Sequence, residues 1–327
     1  MFSMFLSFVI PIYNCEQYIK QNLDIILGTG LTPFDYEIIL VNDGSRDESA
    51  AICNRYAEKF SNVKYICQRN QGPATARNTG LNHAQGDYIW FVDADDRINP
   101  DFLVGLKSIV ETESNVDLVA FGYVEEYSDR QERKLPTQKK TFCSGLEYLQ
   151  SQTSGSYLWN HIYRRKAIGK VRMLDGVSHI EDYCFNRLVV TKLKKVMVLP
   201  EVGYYYNRYN QNSISHRRHL RDRVKANVDS LRVYNALYQT MQETTDERKK
   251  AYLVRELHFS VAAHLYTMAR FDNVRTIRKY IAAYREMGLY PLKKTGNRKS
   301  DLFILLANKE KLFLCIVKNA CKLKSHK

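Results

Sequence analysis

Apolar residues along the first third of the chain fall into two alternating rhythms. Short runs dense in Val, Ile, Phe and Tyr read as β-strands: "SFVIPIY" from residue 7, "YEIILVND" from 36, "VKYICQ" from 63, "YIWFVD" from 88 and "DLVAFG" from 117. Between them "CEQYIKQNLDIIL", "RDESAAICNRYAEKF" and "PATARNTGLNHA" space their apolar residues three and four apart, and so does "NPDFLVGLKSIVE" after the fourth run. These stretches predict helices. A run apolar at every position, as in Tyr88 to Val92, predicts a strand covered on both faces. Strand and helix alternating from residue 7 to about 122 predict a layered α/β domain on a mainly parallel central sheet. Pro73 after Gly72, and Asn99 before Pro100, mark two helix starts.

The rhythm breaks at 125–145, where "EEYSDRQERKLPTQKK" predicts an exposed excursion. Residues 146–215 mix short helical and extended pieces rich in Tyr, and 218–290 carry long amphipathic helical patterns. The reading is a catalytic domain over 1–215 and a helical, basic region over 216–327.

Composition sharpens that division. With 45% hydrophobic and 12% aromatic residues among 327, the chain is globular. Its formal charge is +14, yet residues 1–110 hold 9 Lys and Arg against 13 Asp and Glu, so the basic surface belongs to the later part. Residues 293–327 hold ten Lys and Arg and two acids, interleaved with two six-residue apolar runs split by "NKEK". Such a segment suits a helix lying on an anionic membrane, where each basic residue adds roughly 1 kcal/mol. The alternative is a helix packed on the protein with a solvated basic side. Seven cysteines without metal-ligand or framework spacing predict reduced thiols in a cytoplasmic chain. The apolar start "MFSMFLSFVIPIYN" lacks a basic flank and a cleavage site, so it reads as a first strand and not a signal peptide. No run reaches the roughly 18–20 apolar residues of a spanning helix.

Candidate chemistry gathers where the strands end. Pro11, Tyr13 and Asn14 follow the first strand and would offer a ring and an amide to a nucleotide base. Asp43 closes the second strand and would accept from a ribose or base; the alternative is that Asp43 or Ser45 caps a helix beginning near Ser45. Arg77 is suited to a diphosphate or to a surface ion pair. In "FVDADD" three acids follow a buried strand; Asp93 and Asp95, alternating in an extended segment, share a face suited to Mg²⁺ or Mn²⁺ with substrate phosphates. Asp96 reads as a cap for the helix at Pro100. Glu181 and Asp182 open an apolar helical pattern, either as first-turn acids or as a general base.

Taken in order, "VIPIYN", "VNDGSRDES", "GPATARNTG", "FVDADD" and "ED" followed by "F" resemble the family 2 glycosyltransferases, inverting nucleotide-sugar enzymes of the GT-A fold. "LWNHIYRR" at 158–165 and "YYYNRYNQNSIS" at 204–215 are similar to bacterial members that build capsule, exopolysaccharide or O-antigen units. The resemblance spans residues 7 to about 190. It implies that Pro11, Tyr13 and Asp43 hold the base, with Asn14, Glu16 and Ala94 in the same nucleotide-sugar pocket, and that Arg77 neighbours the diphosphate. It further implies that Asp93 faces the ribose, that Asp95 with Asp93 holds a divalent metal, and that Asp182 is the catalytic base with Glu181 beside it. The implied partners are a UDP-sugar donor and a glycan or polyprenyl-diphosphate-linked acceptor; the later part's basic charge and its apolar-basic tail, not the resemblance, suggest a cytoplasmic chain peripheral to the inner face of the plasma membrane.

Three other classes compete. A haloacid-dehalogenase phosphotransferase also opens on Asp-X-Asp, but its second Asp is followed after one residue by Thr or Val, where this chain has Asp96-Arg97. A nucleic-acid-binding module would explain the basic charge, but no zinc-finger, RRM or KH signature accompanies it. An inactive nucleotide-sugar-binding protein would not require the complete acid set.

Overall fold

The computed structural model describes residues 4–113, 115–151, 157–210 and 220–325. In chain order the first elements are β1 (Leu6–Ile12), α1 (Glu16–Leu27), β2 (Tyr36–Asn42), α2 (Ser49–Lys59), β3 (Val63–Cys67), α3 (Pro73–His83) and β4 (Tyr88–Phe91). There follow β5 (Arg97–Ile98), α4 (Pro100–Thr112), β6 (Leu118–Glu126), β7 (Gln131–Lys134), β8 (Lys140–Phe142), α5 (Gly145–Ser151) and β9 (His161–Arg164). Next are α6 (Arg165–Ile168), α7 (Glu181–Val190) and β10 (Val196–Asn207). The last five are helices: α8 (Leu220–Glu243), α9 (Glu247–Phe271), α10 (Val274–Glu286), α11 (Arg298–Asn308) and α12 (Glu310–Ser325).

The apolar runs become strands because helices cover both of their faces. β2 and β4 are buried at every position and β1 at all but Pro11. The sheet order is β3-β2-β1-β4-β9-β6-β10-β5, with β7 on β6 and β8 on β10. The strands β3, β2, β1 and β4 run parallel, as the alternating pattern predicts; past β4 the sheet is mixed, with β9 antiparallel to both neighbours and β10 parallel to β6. Strand order reverses between β1 and β4. That reversal opens a crevice outside the carboxyl ends of β1 and β4, the place where open α/β sheets bind ligands.

Helix α3 lies tight against β1. A methyl group added at Gly80 would come within 2.4 Å of a Val9 methyl carbon, so only glycine admits this approach. The start of α3 needs a second glycine: Gly72 precedes Pro73 with φ +90°, a backbone that L side chains rarely adopt. Asn99 caps α4 by accepting from the Asp101 N–H. Helix α2 begins at Ser49, four residues later than the sequence predicts, because Asn42, Asn14 and Asp47 take up the intervening N–H groups of Ser45, Arg46 and Ser49.

The polar stretch at 125–145 is exposed over most of its length, as expected, but Glu126 and Phe142 are buried and its backbone joins the sheet through β7 and β8. Strand pairing needs only N–H and C=O groups, so polar side chains do not prevent it. Cys15, Cys53 and Cys184 are buried free thiols, pushed up to about 12 by burial.

The chain divides into two compact units between Asp222 and Arg223. The second unit is helical, with Leu237, Leu257, Val261, Leu265, Ile277 and Ile281 at its core. Buried His264 lies between the Tyr284 hydroxyl and the Asn227 amide oxygen, 2.8 Å from the latter. The apolar-basic tail forms two helices, α11 and α12, separated at Lys309. No helix among the described residues is long and apolar enough to cross a membrane. Residues 211–215 of the Tyr- and Asn-rich stretch, and 216–219 beyond it, lie outside the described residues.

Candidate active site

The crevice is built from loops that follow parallel strands. After β1 comes Tyr13, 42% exposed, its ring available to a planar base. Pro11 is partly buried in the strand beside it. Asn14 takes a left-handed backbone, φ +48°; its N–H donates to Ser45 Oγ, and its side-chain oxygen accepts from the Arg46 N–H. The Glu16 carboxylate accepts from the Glu48 N–H, while the Glu16 N–H donates to Asp47. Asn14 and Glu16 therefore tie the β1–α1 and β2–α2 loops together.

Asp43 does not cap a helix. It is buried, and its two oxygens accept from the Gln68 amide at 2.8 Å, the Gln71 N–H at 2.9 Å and the Gly72 N–H at 2.8 Å. The acid thereby sets the loop that starts α3, and with it the position of Arg77.

Arg77 is buried, and its guanidinium forks. One η nitrogen donates to Asp93 Oδ1 at 2.7 Å and the other to Glu181 Oε1 at 2.9 Å. These two ion pairs hold it protonated. The ion pair is internal and not on the surface, and both η nitrogens go to carboxylates instead of pointing to an open anion site. Arg77 thus joins the end of β4 to the start of α7. Its buried Nε–H has no partner among the described residues.

The strand β4 ends at Phe91, so Asp93 to Asp96 form a turn, closed by the Asp96 N–H donating to the Asp93 carbonyl. This corrects the extended segment inferred from alternation. Asn22 on α1 donates to the carbonyls of Asp93 and Asp96. The Tyr204 hydroxyl on β10 accepts from the Asp93 N–H at 3.0 Å and donates to Asp96 Oδ2 at 2.8 Å. Asn207 donates its N–H to Asp96 and its amide to the Asp95 carbonyl, and Asn210 donates to Asp95 Oδ2 at 2.6 Å. Asp96 is thus a buried anchor of the turn and not a cap for α4, a place Asn99 takes. Burial, with the charges of Asp95 and Asp93 adding, pushes Asp96 well above the usual carboxylate range. Sequence reasoning missed Asn22, Tyr204, Asn207 and Asn210; the only trace was the Tyr- and Asn-rich run at 204–210.

Among the described residues no group of three or more His, Cys, Asp or Glu side chains could hold a metal by itself. Asp93 and Asp95 fit a different mode. Burial and then the neighbouring Asp93 charge raise Asp95, a strain that a cation relieves. A divalent ion of the Mg²⁺ type takes one or two carboxylates and completes its shell with phosphate and water oxygens. Ala94 is buried between these two acids.

Glu181 and Asp182 open α7. The residue before them, Ile180, has φ +55°, an outlier for a β-branched side chain. Burial, followed by the Glu181 charge, pushes Asp182 up to about 7, while the Tyr183 N–H and Arg77 oppose the shift. A carboxylate poised there at neutral pH is suited to take a proton. The approach to α7 is pinned on α3: the Asn78 side chain exchanges hydrogen bonds with the Met173 backbone, and Thr75 donates to Asp175.

The sequence model described as glycosyl transferase family 2 matches residues 7–172. Over 218 residues the chain is 33% identical to the uncharacterized glycosyltransferase EpsJ of Bacillus subtilis, covering 64% of this chain and 62% of that protein. It is 28% identical over 206 residues to the minor teichoic acid biosynthesis protein GgaB of the same organism, covering 61% of this chain and 22% of that one. The matched stretch is less than two thirds of either relative. Among solved structures, S. aureus TarS 1–349 in complex with UDP-GlcNAc superimposes with a TM-score of 0.72 at 18% identity, covering 98% of this chain and 92% of that one. The GT-A fold is therefore shared.

Proposed function

Because the chain belongs to glycosyl transferase family 2, we propose that it transfers a sugar from a nucleotide-sugar, a UDP-sugar, to a hydroxyl of an acceptor glycan with inversion. The acceptor is a lipid-linked repeat unit of a bacterial surface polysaccharide. The observation that carries this reading is the run Asp93–Arg77–Glu181, which links the acids after β4 to Asp182 in one crevice. The UDP-GlcNAc bound by TarS supports the choice of nucleotide, and the teichoic acid role in the name of GgaB supports the acceptor class.

In the proposed mechanism Tyr13 stacks on the base, and Pro11 and Asp43 shape its pocket. Asp95, with Asp93, would hold a divalent ion, which when bound supplies positive charge to the departing diphosphate. Arg77 bridges Asp93 and Glu181, and burial with the Glu181 charge brings Asp182 into the neutral range, where its ionised form is available as a base. Asp182 removes the proton from the acceptor hydroxyl as that oxygen forms its bond to the anomeric carbon. The bond to the nucleotide diphosphate breaks on the opposite face, so a single displacement inverts the centre. The sugar is oxocarbenium-like midway.

The test is a panel of UDP-, GDP- and dTDP-sugars with Mn²⁺ or Mg²⁺, followed by nucleotide diphosphate release. One donor should turn over slowly in a metal-dependent way, and Asp95→Ala should abolish that turnover. Turnover of no donor, without donor binding, would refute the reading.

A further inference from the structure

We propose that α11 and α12 form a docking face for an anionic lipid bilayer. The observation is a pattern of exposure that the helical unit's own packing does not account for. On α11, Arg298, Leu302 and Leu305, with Lys309 at its C-cap, are all exposed and follow one another at steps of four, three and four, which makes a single stripe. Leu302 is 71% exposed and Leu305 is 53% exposed. On α12, Leu312 and Ile316 are one turn apart, 49% and 46% exposed, with exposed Lys311 and Lys318 flanking them. The inward faces are already filled: Ile304 and Ala307 on α11, and Phe313, Leu314 and Val317 on α12, are buried. Phe303 meets Tyr266 of α9 and Phe313 of α12 edge-on, which joins the two helices to their unit. The outward leucines are thus a second apolar face and not misplaced core.

Charge decides what covers it. Both acids of the segment are engaged, Asp301 by the Thr295 and Gly296 N–H groups and Glu310 by Arg285. Among the described residues no ion pair engages Arg298, Lys309, Lys311 or Lys318. A second copy of the chain would bring like charges together. A nucleic acid would match the charge but leave the leucines in water. An anionic bilayer satisfies both sets, with leucines among the acyl chains and cations at the headgroups. The face stands on these observations alone, independently of the catalytic reading.

Full-length protein is floated with phosphatidylcholine vesicles and with vesicles containing about a third phosphatidylglycerol. Wild type should float at least tenfold more with the anionic vesicles. The double variant Leu302→Ser/Leu312→Ser should lose flotation at low salt, and Lys309→Gln/Lys311→Gln should weaken it and flatten its salt dependence. All substituted positions are exposed, so melting temperature and donor turnover in solution should stay as in wild type. Equal flotation of the leucine variant, or none by wild type, would overturn the proposal. So would a concentration-dependent dimer that the leucine variant abolishes, because the face would then belong to a second copy.

Discussion

Arg77 and Asp182 carry the site's electrostatics between them. A buried arginine forks onto two carboxylates, those of Asp93 and Glu181, a geometry that lysine cannot reproduce. Burial and then the Glu181 charge make Asp182 hold its proton more tightly than an ordinary aspartate, up to about 7. The working form of a base is the ionised one, so donor turnover should rise with pH through the neutral range and level off above it. The same shift bears on stability with a definite sign. A carboxyl whose folded value lies above its ordinary 3.8 stabilises the fold while protonated, and that contribution is lost as pH rises from about 4 through about 7. Asp182→Asn should therefore lower kcat by about 10²–10⁴-fold yet raise the melting temperature at pH 8. The stabilisation is on the order of 1–3 kcal/mol and should shrink towards pH 4; equal melting at both pH values would contradict the assignment. At this scale the sequence displayed the residue types, since acids after a buried strand and acids opening a helix stand out. It did not display the pairing of Arg77 with Glu181, 104 positions away, because ion pairs between elements leave no local pattern.

The element that matters most is the turn from Asp93 to Asp96, held from α1 by Asn22 and from β10 by Tyr204 and Asn207. Such anchoring fixes the direction of the Asp95 carboxylate before any ligand arrives. Tyr204→Phe removes a hydroxyl that serves two partners and takes away the acceptor of the Asp93 N–H and the donor to Asp96 Oδ2. We expect a loss of about 1–3 kcal/mol in urea unfolding and a rise in KM for the donor, while the pH at half-maximal turnover, set by Asp182, stays unchanged. Reading the sequence gave Asp96 a capping role because capping is the local rule; the true partners arrive 108 and 111 positions later on β10. Helix α3 was predicted within a residue, since Gly72, Pro73 and the apolar spacing act locally.

For the whole molecule, the parallel half of the sheet was legible because a helix between two strands forces the crossover that keeps them parallel. The mixed half was not, for an apolar run carries no mark of its direction, and the short, mostly polar β7 and β8 have no apolar run to announce a strand. The crevice follows from that order: the reversal between β1 and β4 places Tyr13, Asp43 and the acids after β4 at one end of the sheet. The central claim is that a single displacement takes place there. The most direct measurement is the anomeric configuration of the free sugar first released when the wild-type protein is incubated with an α-linked nucleotide-sugar that it turns over, read by proton NMR before mutarotation. The β anomer should appear first, with water in the acceptor's place. Initial release of the α anomer would contradict the account, because it would require two displacements and a covalent intermediate.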